Sequence, residues 1–132
     1  MPRPEPEFDL LMFDFGGVLT DWNGVEGLLQ VSGKPISREE ARRFWLESFW
    51  VRKFESGQCT PQAFAEGAVR ELDCRLDANG FLQTFIAWDR GPFPGSRDLL
   101  AKLSESYELA CLTNNNEIHW RRLRDFYGLG QY

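Results

Sequence analysis

The first clear pattern along the chain is Phe8-Asp-Leu-Leu-Met-Phe13, a nearly unbroken apolar run that predicts a buried strand. It stops at Asp14-Phe-Gly-Gly17, where paired glycines permit a tight turn at the strand's carboxyl end. From Ser37 to about Trp88 the apolar period becomes helical. Ser37 and Glu40 have capping-box spacing ahead of a stripe of Ala41, Phe44, Trp45, Ser48 and Phe49. A second helix opens at Thr60-Pro61 and aligns Phe64, Ala65, Ala68, Val69 and Leu72. A third aligns Phe81, Leu82, Phe85 and Ile86. Aromatic residues at these spacings predict the core of a helical unit, not a ligand box.

Arg90-Gly-Pro-Phe-Pro-Gly95 then reads as a rigid, turn-rich connector and a boundary. Leu99, Leu100 and Leu103 mark one face of a short helix, and Tyr107-Glu-Leu-Ala-Cys-Leu112 predicts a second buried strand. That strand ends in Thr113-Asn-Asn-Asn116, suited to cap a helix carrying Trp120, Leu123 and Tyr127. The order of elements predicts an α/β fold: a parallel-sheet core from residues 1–21 and 91–132, interrupted by a helical insert at 22–90. Two strands are few for a sheet, so the open edge calls for a cover, either a second copy of the chain or another polypeptide. The start, with three prolines in six residues, is expected to be extended and mobile.

Composition narrows the partners. Over 132 residues, 15 Lys and Arg stand against 20 Asp and Glu, net −5, and no dense basic run occurs, so nucleic acid is not an expected partner. No apolar run approaches the roughly 20 residues that cross a bilayer, and the start lacks the apolar stretch of a signal peptide. A cytoplasmic protein without a membrane partner is the expectation. Cys59, Cys74 and Cys111 are an odd number without CxxC spacing, which argues against a disulfide framework or zinc and for buried free thiols.

In an open α/β sheet, ligands bind beyond the carboxyl ends of the strands, where both polar loops fall. Asp14 presents a carboxylate able to attack phosphorus or bind Mg²⁺. Thr113 and Asn114, with the free amides at the start of the next helix, form an anion site without a cation. Taken singly, an Asp that ends a strand and a Thr that caps a helix are ordinary structural features with no further purpose. Their combination around a helical insert is much more specific.

Phe13-Asp-Phe-Gly-Gly-Val-Leu-Thr20 closely resembles the nucleophile motif of the haloacid dehalogenase (HAD) superfamily, and Ala110-Cys-Leu-Thr-Asn-Asn115 resembles its second motif. The segment between them is placed like that family's helical cap, so the likeness covers nearly the whole chain. It implies a HAD-like, Rossmann-like core and a Mg²⁺-dependent phosphomonoester hydrolase acting on a small phosphorylated metabolite. By the same resemblance Asp14 becomes the aspartyl-phosphate, Asp14 and the carbonyl of Gly16 hold Mg²⁺, and Thr113, Asn114 and Gly17 hold the phosphate.

Two departures qualify that implication. Phosphatases of the family carry a second Asp, a general acid and base, where this chain has Gly16, a loss of typically about 10²–10⁴-fold. Nothing in the sequence places Asp21 within reach to replace it. The family's later Lys or Arg and its further acids are also missing, so the chain reads as a fragment or truncated product. Arg121, Arg122 and Arg124 are expected on a solvated helix face, and His119 on the surface, since no nucleophile and orienter accompany it. Arg90 reads at least as well as a hinge ion pair as a substrate contact. The alternatives are an inactive HAD-like binding protein and a metal-free 2-haloacid dehalogenase. A response-regulator receiver is set aside, since the acidic pair it requires is lacking at Phe13-Asp14-Phe15.

Overall fold

The structure, a computed structural model, describes Glu5 and residues 7–132. Most of the proline-rich start lies outside the described residues, and with it the expectation made for that segment. Strand β1 spans Leu10–Phe13, β2 Thr20–Trp22, β3 Asp89–Pro92 and β4 Glu108–Cys111. Helices α1 to α5, at Gly24–Val31, Arg38–Glu47, Phe49–Glu55, Pro61–Glu71 and Ala78–Ala87, fill the interval between β2 and β3. Helix α6 is Ser96–Ser104, and α7, Glu117–Arg121, runs on into a π-helical turn at Arg122–Phe126. The architecture is α/β, with a small parallel sheet, as expected. Among the described residues no helix is long and apolar enough to cross a membrane.

β1 pairs with β4 in parallel, Leu10 opposite Glu108 and Phe13 opposite Cys111. Phe13 and Leu109 on one face of this pair pack against a cluster of Phe15, Leu19, Leu100, Leu123 and Leu129. Phe8, Leu10, Met12 and Leu112 remain exposed. The expectation of a fully buried β1 is therefore corrected: its residues alternate, because helices cover one face of the pair and the described residues provide nothing for the other.

The local signals of the insert hold. Ser37 caps α2, its side chain accepting from the Glu40 amide at 3.1 Å while the Glu40 carboxylate accepts from the Ser37 amide at 2.7 Å. Thr60 caps α4, with Pro61 in its first turn. Between Ser37 and Trp88 four helices form where three are expected, however. The stripe through Phe49 breaks at Ser48, an extended residue at the C-cap of α2, which leaves Phe49 exposed. Helix α1, short and ahead of any capping pattern, is not anticipated by the apolar periodicity. The insert has its own apolar cluster around Leu28, Phe64, Phe81 and Phe85. There the Phe54 and Phe64 rings stack with centroids 4.6 Å apart.

The expected connector at residues 90–95 also differs, since its first half is strand β3, antiparallel to β2. Proline is tolerated there because Pro92 ends this short strand. The β2–β3 ribbon is thus the two-stranded stem through which the chain enters and leaves the insert. Gly91, at φ +86°, lies so close to the Tyr127 ring that a Cβ would approach it to 2.5 Å. The cysteines are free, but Cys111 is exposed and Cys59 and Cys74 only half-buried, a correction to the buried reading. Cys111 is the last residue of β4, and periodicity cannot reveal how far cover extends to a strand's end.

Candidate functional site

Pairing of β1 with β4 brings the two strand-end loops together. Phe13 lies opposite Cys111, and the Leu112 amide donates to the Phe13 carbonyl at 2.9 Å, so Asp14 and Thr113 emerge from adjacent strands. Both line a cavity of about 540 Å³ between these loops and the helices of the insert. A cavity of that size suits a small molecule.

Asp14 is exposed, and one of its carboxylate oxygens accepts the Phe15 amide at 2.7 Å. The loop behind it is tightly wound. The Phe15 carbonyl accepts from the amides of Val18, Leu19 and Thr20 at 3.0, 2.9 and 3.0 Å, while the Gly17 amide donates to the Thr20 carbonyl at 2.9 Å. Gly16 lines the cavity beside Asp14, whereas Gly17 does not. Gly17 has its amide engaged in the turn and φ at +78°, the left-handed conformation that lets the loop close. The structure thus brings Asp14, Gly16, Thr113 and Asn114 together and leaves Gly17 behind them.

On the second loop the asparagines divide the work. Asn116 caps α7, its side-chain oxygen accepting the His119 amide at 3.0 Å, and the Asn115 side chain accepts the Asn116 amide at 2.9 Å. The Thr113 hydroxyl makes only a long 3.4 Å contact to the Asn114 carbonyl. Thr113 and Asn114, together with the Asn115 side-chain nitrogen, therefore keep hydrogen-bonding capacity among the residues that line the cavity.

His119 departs most sharply from its expected place. It is buried, not on the surface, with Nε2 2.8 Å from the Phe85 carbonyl and Nδ1 3.2 Å from the Asn116 side-chain nitrogen. Its ring also lies 4.2 Å, centroid to centroid, from the Phe85 ring. Burial lowers its pKa to about 4, so at neutral pH it is uncharged, donating from Nε2 and accepting at Nδ1. Phe85 belongs to α5 of the insert, and the surface expectation fails because periodicity along α7 says nothing of a helix 34 residues earlier in the chain.

Asp89 opens β3 and is likewise missing from the expected site. It lines the cavity at 4% exposure; one oxygen accepts the Gly91 amide at 3.0 Å, and the other is enclosed without a partner among the described residues. Burial raises its pKa above the ordinary carboxyl value, against the opposing pulls of the Gly91 amide and Arg122, with Asp21 adding to the rise. Glu55, at the end of α3, lines the same cavity with its carboxyl raised by partial burial although the residue as a whole faces solvent. Only the acid–Arg–Gly run at 89–91 flags Asp89 in the sequence, and an apolar periodicity passes over it.

Asp21 does not line the cavity; its carboxylate pairs with Arg90 at 2.9 Å across the stem, the hinge ion pair that the sequence allowed for. Arg121 and Arg124 are exposed, as expected of a solvated face. Arg122 departs from that expectation: it is half-buried, with Nε enclosed and unpartnered among the described residues and an Nη donating to the Tyr127 hydroxyl at 3.2 Å. Wrapping of the following π-helical turn places Tyr127 and Phe126 against its guanidinium.

No group of three or more His, Cys, Asp or Glu residues among those described is arranged to hold a metal. Asp14, with its carboxylate, and Gly16, which retains a main-chain carbonyl, both line the cavity. Such a set fits Mg²⁺, which commonly takes one or two protein carboxylates and completes its shell with water and substrate phosphate.

A scan against protein-family models found no match, and neither did a search of curated proteins. Solved structures do match. The HAD family enzyme BT-2542 of Bacteroides thetaiotaomicron superposes with a TM-score of 0.63 at 26% identity, over 86% of this chain and 56% of that one. Its complex with magnesium and inorganic phosphate gives 0.62 at 24% identity, over 86% and 57% of the two chains. This chain spans a little over half the length of that enzyme. The chain has the fold of the HAD superfamily, as its two strand-end motifs implied.

Proposed function

We propose that this chain carries the nucleophile site of a Mg²⁺-dependent HAD-type hydrolase acting on a small phosphomonoester, with residues 22–90 as its cap. The observation that carries this reading is the convergence of Asp14 and Thr113, at the carboxyl ends of two paired parallel strands, on one cavity. Phosphate and magnesium bound together in the similar BT-2542 support it.

In this reading an Asp14 carboxylate oxygen attacks phosphorus as the bond to the departing alcohol oxygen breaks, giving an aspartyl-phosphate. Water then adds to phosphorus, the Asp14–phosphorus bond breaks, and the carboxylate is regenerated. The sum is ester plus water giving alcohol plus inorganic phosphate. The Phe15 amide fixes the carboxylate orientation. The Thr113 hydroxyl and Asn114 amide hold phosphate oxygens, and the apolar cap keeps bulk water away from the acyl-phosphate. Asp14 and the Gly16 carbonyl would hold Mg²⁺, which would supply charge screening between carboxylate and phosphate.

The test is phosphate release from a panel of phosphomonoesters with Mg²⁺ and with chelator, beside Asp14→Asn. Turnover that needs both Mg²⁺ and Asp14 upholds the proposal. Release that survives either loss, or its absence across the panel, defeats it for this chain.

A further inference from the structure

The cavity has two unlike walls. The core loops supply its polar groups, Asp14 and Thr113–Asn116, whereas the cap supplies Trp22, Trp45, Leu46, Phe54 and Phe85. Among the described residues no Lys or Arg lines it, and Glu55 and Asp89 add two carboxylates to that of Asp14. A substrate with a second phosphate or a carboxylate therefore finds no counter-charge there and meets repulsion instead. A sugar or nucleoside fares no better, since its hydroxyls lose water on entry and the cap wall offers few groups to replace it. The exception is the Trp45 Nε1–H, buried and unpartnered among the described residues, a donor for a single acceptor.

A second, chemical observation leads the same way. Gly16, two residues beyond the nucleophile, carries no side chain, and His119 has both ring nitrogens engaged and is uncharged at neutral pH. The Asp14 loop thus provides no proton for an alkoxide, which suits a leaving group that departs as a stabilised anion. A phenol does so, with a pKa of about 10.

Given the hydrolase reading, we infer that the substrate is an aryl phosphomonoester: one phosphate on an apolar ring, bearing at most one further hydrogen-bond acceptor and no other charge. Aromatic stacking and edge contacts with the half-buried Trp22 and Trp45 hold the ring, and the phosphate lies toward Asp14 and Thr113.

Two measurements test this and separate it from the hydrolase reading. The first compares kcat/KM with Mg²⁺ for phenyl phosphate, cyclohexylmethyl phosphate, glucose 6-phosphate and AMP. The cyclohexylmethyl and glucose esters share a primary alkoxide leaving group and differ in hydroxyls. The order expected is phenyl, then cyclohexylmethyl, then glucose 6-phosphate and AMP, with about tenfold or more between the apolar and hydroxylated alkyl esters. Leu46→Lys, a change at an exposed residue on the cavity rim, is expected to narrow that gap. The second measurement titrates Asp14→Asn with the same esters and follows tryptophan fluorescence. Saturable quenching by phenyl phosphate but not by glucose 6-phosphate upholds the ligand class even where no ester is turned over, and the hydrolase reading alone then fails. Equal or better binding or turnover of the sugar phosphate or AMP, or no binding by phenyl phosphate, overturns the inference.

Discussion

His119 Nε2 lies 2.8 Å from the carbonyl of Phe85, joining the helix that follows the second strand-end loop to the last helix of the insert. Asn116, which caps His119's own helix, also contacts its Nδ1, so loop, imidazole and insert form one chain of contacts. The orientation of Thr113 and Asn114 is thereby tied to the position of α5.

Protonating His119 would break this chain, since the Nδ1 that now accepts would carry a hydrogen. Burial lowers its folded pKa from 6.5 to about 4, so between these values the unfolded chain binds more protons than the folded one. The stability it contributes is full above pH 6.5 and is lost as pH falls toward 4, roughly 3 kcal/mol in all. His119→Gln should be less stable at pH 7 and should flatten that part of the curve. Urea unfolding at intervals from pH 4 to 7.5 measures both. A wild-type curve flat across this window contradicts the assignment.

Asp89 has the opposite sign. Its folded pKa is raised by burial, so the folded state favours the neutral acid, and stability declines as pH rises from 3.8 through the raised value. Asp89→Asn keeps the shape and removes the charge. It should leave stability at pH 7 unchanged or improved and abolish this decline, as thermal melts across pH would record. A large loss of stability at pH 7 would mean that the charge itself is needed, with Arg122, whose charge pulls the Asp89 pKa down, as a candidate partner.

Gly91 should resist any side chain. At φ +86°, with the Tyr127 ring 2.5 Å from where a Cβ would stand, Gly91→Ala forces both a strained backbone and a displaced ring. A loss of about 2 kcal/mol or more is expected in denaturant unfolding. The Ala substitution at Gly57, also at positive φ but with no atom within 4 Å, should cost less and isolates the contribution of the ring.

Gly16 should accept a carboxylate. A Cβ there meets only the Trp22 side chain, its nearest atom Cβ at an ordinary 3.7 Å, and the φ of Gly16 is not in the left-handed region. Gly16→Asp is expected to fold normally and to raise turnover of alkyl esters by up to about 10²-fold while changing aryl esters little. Rates on paired aryl and alkyl substrates decide it. A uniform rise or fall across both classes would argue against a proton-transfer deficit at this position.

The sequence by itself determined what local chemistry fixes. The Ser37–Glu40 capping box and the Thr60-Pro61 helix start are satisfied within one turn, so they read directly from residue type. Apolar periodicity marked Phe64, Phe81 and Phe85 as core, and the two strand-end motifs marked Asp14 and Thr113. Tertiary structure alone decided that Met12 is exposed while Phe13 packs inward, because burial depends on what covers each face of the strand. It also decided that residues 89–92 pair with residues 20–22, that Asp89 is enclosed, and that His119 reaches Phe85. Those relations join residues 34 to about 70 positions apart, and no pattern of period 2 or 3.6 carries information over such a separation.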